Sequence, residues 1–262
     1  MHHSIVIPHR RRVWNLAACL RSLQRSAEAT GVHDYEVIVV NDREEPLLRS
    51  VFPTTPHLRI IDLHRASKPF NKCILQNVGI EASSGSVLSF LDADAVVGRD
   101  WLLNVCDRLD GLTKLCYRVR RIPCNISCLV GADDEHFDRE AVWAFENWTT
   151  LGTAFPLAFE GREKPETDRP YGEPLFGNSQ FSISREVLGD LRFDEEYEGA
   201  GFEDIAMNRA IWRKHYTTYR ADMPTEPERC ILHISHSRLC ADQPYWRHPE
   251  FLTRNMRRYY ET

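Results

Sequence analysis

Four short apolar runs recur along the first part of the chain: "SIVIP" (Ser4–Pro8), "YEVIVVND" (Tyr35–Asp42), "LRIIDL" (Leu58–Leu63) and "SVLSFLDAD" (Ser86–Asp94). Each is rich in β-branched residues and apolar almost throughout, the pattern of strands buried on both faces. Between them the period changes. Leu16, Leu20 and Leu23 fall at helical spacing in the first gap, and Ile74, Val78 and Ala82 do so in the third. Strand alternating with helix predicts parallel pairing through right-handed crossovers, hence a doubly wound α/β sheet. Ligands bind such sheets outside the carboxyl ends of the strands.

The residues that follow each strand therefore carry the chemistry. After the first come Pro8, His9, Arg10, Arg11 and Arg12; after the second, Asn41, Asp42 and Arg43; at the end of the fourth, Asp92 and Asp94. If the fourth strand continues through them, Asp92 and Asp94 point to the same side. Two adjacent carboxylates repel, and a shared divalent cation relieves the repulsion. Such a cation could bridge phosphates that the basic cluster also holds. The plainer alternatives are a solvated arginine run and a helix cap ahead of Trp101.

Glycine placement narrows the class. Neither G-x-G-x-x-G nor G-x-x-x-x-G-K-[ST] occurs, and the only glycines near these strands, Gly79 and Gly85, precede the fourth. The stretch beyond Thr113 is looser, with a helix expected over Asp138–Thr150. "NSQFSIS" then alternates like a strand. "FEDIAMNRAIWRKH" (Phe202–His215) places Ile205, Arg209 and Trp212 at helical spacing, with Glu203 and Asp204 in the first turn. Carboxylates there suit the helix dipole, so a capping role for Asp204 stands beside a catalytic one.

Composition sets limits on this picture. A chain of 262 residues with 42% hydrophobic content can bury one large core or two small ones. A net charge of -5 gives no general attraction to nucleic acid or anionic lipid. "RHPEFLTRNMRRYYET" at the C-terminus interleaves arginines with aromatics, a nucleic-acid-binding texture, but it fits an amphipathic helix equally well. No run of about eighteen apolar residues and no signal-peptide core is present, so a cytoplasmic protein, at most peripheral to a membrane, is expected. The 8 cysteines are dispersed, with Cys124 and Cys128 the only close pair; buried free thiols are expected, with structural zinc at that pair as the alternative.

Together these blocks resemble the nucleotide-sugar glycosyltransferases of the GT-A fold. Both family 2 and the β-1,4-galactosyltransferase group are matched. "SIVIPHRRR" is similar to their opening strand and basic loop, and "PFNKCILQNVGIEASSGSVLSFLDADAV" to the helix leading into a D-x-D strand. "FGNSQFSI" with "EGAGFEDIAMNRAIW" is similar to the galactosyltransferase C-terminal block, and "LHISHSR" to its metal-histidine segment. The matches run from Ser4 to about Arg238. They imply one GT-A domain, with residues 1–112 as the nucleotide-sugar half and 113–262 as the acceptor and catalytic half.

The resemblance also implies roles. Pro8, His9, Arg10, Arg12, Phe70, Lys72, Gly177 and Asn178 would line the donor site, Asp42 would contact the base, and Asp92 the sugar or ribose. Asp94 and His236 would ligate a metal, joined by His233, which stands where the galactosyltransferases have methionine. A carboxylate with imidazoles suits Mn²⁺ better than Mg²⁺. Asp204 would be the general base, paired with Glu203, in an inverting transfer from a UDP-sugar to a glycan or other hydroxyl acceptor. Ala200 stands where that group has tryptophan, so its acceptor does not carry over. Leu175 stands at a position that in the family borders the donor's C2 substituent, which would leave UDP-GalNAc and UDP-GlcNAc open. A non-catalytic nucleotide-sugar-binding protein would not need Asp204; a transferase acting on nucleic acid or protein remains an alternative, and nucleic acid as a direct partner is not expected.

Overall fold

The computed structural model describes residues 2–10, 13–42, 48–49, 52, 55–63, 70–110, 112–117, 119–122, 180–199, 201–222, 229, 231–234 and 249–261. Arg12, Gly177, Asn178, His236, the Cys124–Cys128 pair and the helix expected over Asp138–Thr150 lie outside them.

Strands β1 (His3–His9), β2 (Tyr35–Asn41), β3 (Leu58–Asp62) and β4 (Val87–Phe90) form the parallel part of a seven-stranded sheet. Its order is β3-β2-β1-β4-β8-β6-β9, where β6 is Lys114–Cys116, β8 Phe181–Ser184 and β9 Ala221–Asp222. β8 runs antiparallel to both neighbours. Strands from both sides of residue 113 thus share one sheet. A second, three-stranded sheet joins β5 (Ala95–Val97), β10 (Ile231–Ile234) and β7 (Val119–Ile122).

Helices cover both faces, as the double-wound reading requires. Ile5, Ile7, Val37 and Val39 meet Leu16 and Leu23 of α1 (Val13–Thr30) and Trp101 of α3 (Trp101–Arg108). Val6, Leu88 and Phe90 face the other way, against Phe193 and against Met207 and Ile211 of α5 (Glu203–Lys214). Ile38 and Val40 take Leu75 of α2 (Lys72–Ala82). Each such side chain contributes about 1.5–3 kcal/mol of burial. Two further helices are α4 (Arg185–Leu188) and α6 (Pro249–Glu261). α2 lies so near β1 that a Cβ on Gly79 would collide with Val6 Cγ1.

Several expectations change here. The fourth strand stops at Phe90; Leu91–Asp94 turn the chain, with the Ala95 N–H donating to the Asp92 carbonyl at 3.0 Å, and β5 begins in the second sheet. Asp92 and Asp94 are therefore not on one strand face. α2 buries Cys73, Leu75, Gln76, Asn77, Gly79 and Ile80, while Ile74, Val78 and Ala82 are half-buried at its margin. α5 buries Met207, Asn208 and Ile211 rather than Ile205, Arg209 and Trp212. Cys19, Cys73 and Cys116 are buried free thiols, and Cys106 is a half-buried one.

Candidate active site

The carboxyl ends of β1, β2 and β3 are in register: His9 pairs with Asn41, and Asn41 with Asp62. Their side chains continue the pairing outward. The His9 ring donates from Nδ1 to Asn41 Oδ1 at 3.1 Å, and Asn41 Nδ2 donates to Asp62 Oδ1 at 3.0 Å. Arg49 closes the row by donating from Nε to Asp62 at 2.9 Å. His9 is fully buried, so its ring braces the strand ends. Arg10 stands beside the row, its guanidinium 3.4 Å from the almost wholly buried Asp42 carboxylate. Pro8 is buried within β1.

Asp92, on the turn after β4, forms an ion pair with Lys72 Nζ and accepts from Gln180 Nε2 at 3.5 Å. Lys72 opens α2, whose N-cap Asn71 accepts the Ile74 N–H at 3.1 Å. Phe70 lies just before the cap and packs with Ile38, Val40 and Leu75. Lys72 is 9% exposed, and burial alone would depress its pKa; Asp92, Glu203 and Asp204 reverse that and hold the ammonium ionised. These four ionisable groups, brought from three separate segments, thus share one electrostatic environment.

Glu203 and Asp204 open α5. The N-cap is Phe202, in left-handed conformation at φ 69°, and it makes no side-chain cap bond. Asp204 therefore does not cap: its Oδ1 accepts only the next N–H, that of Ile205, at 2.8 Å. Both carboxyls are half-buried, and the protein around them removes enough water to disfavour their charged forms. Burial raises both pKa values, and Asp204 adds to the rise at Glu203, while Lys72 pulls both down. Glu203 Oε2 has no hydrogen-bond partner among the described residues. A raised carboxylate pKa moves a base toward the range where proton transfer is effective.

Asp94 turns the other way. Its carboxylate is 2% exposed, and Oδ2 is 3.4 Å from His233 Nε2. The antiparallel pairing of β5 with β10 sets His233 opposite Ala95, next to Asp94 in sequence. Two ligands of one divalent cation at about 90–110° to each other are about 3.0–3.5 Å apart, given bonds near 2.1–2.2 Å. The pair fits that spacing, with one hard oxygen and one imidazole nitrogen to offer. No group of three such ligands stands among the described residues, and the third expected one, His236, lies outside them.

The structure also brings in residues that the strand-end argument did not select. Gln180 directly precedes β8, and only the antiparallel insertion of that strand beside β4 delivers it to Asp92. Lys114 is fully buried on β6, bonded to Asn208 one turn beyond Asp204, with its ammonium 4.0 Å over the Phe181 ring. Its sole sequence signal is a lysine inside the strand-like "LTKLC".

Comparisons with known proteins give the family and the fold. Residues 4–158 match Glycosyl transferase family 2. The chain is 28% identical over 190 residues to a putative polypeptide N-acetylgalactosaminyltransferase 10 of Caenorhabditis briggsae, a match that covers 69% of this chain and 29% of that protein. The chain thus spans under a third of that relative. In fold it is similar to S. aureus TarS 1-349 in complex with UDP, with TM-score 0.60 and 14% identity over 99% of this chain and 64% of that one. It is also similar to the mannosyltransferase PcManGT from Pyrobaculum calidifontis in complex with GDP-Man and Mn2+, with TM-score 0.57 and 15% identity over 100% of this chain and 64% of that one. No helix among the described residues is long and apolar enough to cross a membrane.

Proposed function

The chain belongs to glycosyl transferase family 2, and from that membership we propose that it transfers a sugar from a nucleoside diphosphate donor, a UDP-sugar, to an acceptor hydroxyl with inversion at the anomeric carbon. The observation that carries the reading is the Lys72–Asp92 ion pair, with Lys72 also acting electrostatically on the half-buried Glu203 and Asp204 at the start of α5. A non-catalytic nucleotide-sugar-binding protein would have no use for two carboxyls held there at raised pKa.

In this reading Arg10 and Lys72 supply positive charge toward the diphosphate, and Asp42, at the end of β2, takes the base. Asp92, held by Lys72 and Gln180, is oriented toward the sugar. Asp204 accepts the proton of the acceptor hydroxyl as the new C–O bond forms; the bond from the anomeric carbon to the phosphate oxygen breaks and the nucleoside diphosphate departs with the electron pair. The departing group is a weak base, so no acid partner is needed, unlike the paired carboxyls of glycoside hydrolases. Glu203 shares its surroundings and keeps the local charge of the pair low.

Asp94 and His233 would hold a divalent cation, Mn²⁺ more readily than Mg²⁺ because one donor is an imidazole. Such a cation would neutralise the diphosphate as it leaves. His236 would complete the set. The N-acetylgalactosaminyl relative and the two solved neighbours, holding UDP and GDP-Man, set the donor panel. The test is nucleoside diphosphate release from UDP-, GDP- and dTDP-sugars with and without Mn²⁺, with UDP-N-acetylhexosamines first. If no sugar nucleotide binds or turns over in either condition, the reading fails.

A further inference from the structure

We propose that α6 is a clamp on the turn that carries the catalytic pair, with Asn255 as its positioning residue; this rests on the reading of Glu203 and Asp204 given above. The described residues from Phe193 to Phe202 belong to no helix or named strand, and the backbone takes positive φ at Gly199 (75°), Gly201 (102°) and Phe202 (69°). Phe202 adopts a conformation that L side chains disfavour, immediately before Glu203. A turn of this kind keeps its shape only where its surroundings impose it.

α6 imposes it by contacts that reach the turn itself. Asn255, 1% exposed, donates from a single Nδ2 to the carbonyls of Glu198 at 3.0 Å and Gly201 at 3.1 Å, so it ties together both sides of the turn. The Tyr259 ring lies 5.5 Å from that of Phe202. Arg209 of α5 covers Tyr259 at 3.7 Å and donates to its carbonyl at 2.8 Å, which binds the clamp to the helix it positions. Arg258 reaches Asp194 and Glu196, each at 2.7 Å, and Arg254 reaches Glu198 at 2.9 Å.

The opposite flank is anchored to α2. Asn71 donates to the Glu195 carbonyl at 2.6 Å, Asn77 exchanges bonds of 2.9 Å with the Phe193 backbone, and the Gly199 N–H donates to the Phe70 carbonyl at 2.9 Å. The turn is therefore gripped between α2, which carries Lys72, and α6. The basic and aromatic C-terminal segment and the acidic "FDEEYEG" run thus find their partners in each other. Two of the three arginines Arg254, Arg257 and Arg258 are engaged inside the molecule rather than offered to a nucleic acid.

The test uses the whole chain. In Asn255→Leu, kcat for sugar transfer should fall about tenfold or more, since displacement of a reacting group by about 1 Å costs up to about 10²-fold. UDP binding should stay within about twofold of the parent, and amide exchange should quicken over residues 199–203 while β1 and β2 keep their protection. The double variant Arg254→Gln, Arg258→Gln, altered only at partly exposed side chains, should show the same split more weakly and guards against failure of the first to fold. Parent values of kcat and exchange in either folded variant would overturn the clamp. So would loss of UDP binding and β1 protection in step with activity, because α6 would then merely support the whole fold. Asp204→Asn run alongside separates the two ideas. If it transfers at the parent rate the base assignment fails, and exchange over 199–203 alone decides the clamp.

Discussion

His233 Nε2 lies 3.4 Å from Asp94 Oδ2, although 139 residues separate them in sequence (233 − 94). Strand pairing between β5 and β10 brings them together. Asp94→Ala should weaken Mn²⁺ binding at least about tenfold in calorimetric titration, and His233→Ala should do so to a similar or lesser extent. Unaltered Mn²⁺ affinity in both folded variants would remove these residues from the ligand set.

Asp204→Asn should lower the transfer rate by about 10²–10⁴-fold, the usual contribution of a general base. UDP affinity should change by less than about twofold. Parallel measurement of kcat and of UDP binding checks this, and a drop in binding equal to the drop in rate would make Asp204 a donor contact instead.

Lys72 lowers the pKa of both Glu203 and Asp204, against the upward push of burial. Lys72→Met removes that restraint, so both carboxyls should hold their protons to higher pH. The acidic limb of the kcat profile should accordingly move upward. A limb that stays in place, with activity intact, would show that neither carboxyl controls the rate.

Stability should carry the mark of Glu203 with a defined sign. Its folded pKa lies above the unfolded value near 4.3, so the folded state binds the extra proton between the two values and loses stability as pH rises through that window. Glu203→Gln should raise Tm at pH 8 by about 3 °C, equivalent to about 1 kcal/mol in a chain of this size, and the gain should vanish at about pH 4. Calorimetry at the two pH values decides it.

Gly79→Ala should destabilise the protein by about 1–3 kcal/mol, because the added methyl collides with the Val6 side chain and α2 must lift from β1. Denaturant titration measures the loss, and restoration by Val6→Ala in the same chain would show that the clash is its cause.

The parallel half of the fold was legible because it is local. β1, β2, β3 and β4 each announce themselves as apolar runs, and their carboxyl ends point to Arg10, Asp42 and Asp92 without any coordinates. What escaped the sequence depends on distant pairing. Nothing near Phe90 says that the strand ends there; β5 exists because β10 pairs with it. Periodicity marked α5 as a helix through Ile205, Arg209 and Trp212 but did not say which stripe meets the sheet; the fold buries Met207 and Ile211. Gln180 and Lys114 needed β8 to pair with β4 and β6 to pair with β8. Asn255 had no signature at all, since its partners are backbone carbonyls at Glu198 and Gly201.

The turn at Leu91–Asp94 is also a seam. Asp92 is tied through Lys72 to the helix that rides on the seven-stranded sheet, whereas Asp94 meets His233 on the three-stranded one. Two carboxylates separated by one alanine thus belong to two different sheets. The core shared by Ala95, Val97 and Ile231 with Ile5 and Ile7 joins the sheets behind that seam, and a ligand that touched both carboxylates would join them at its open edge.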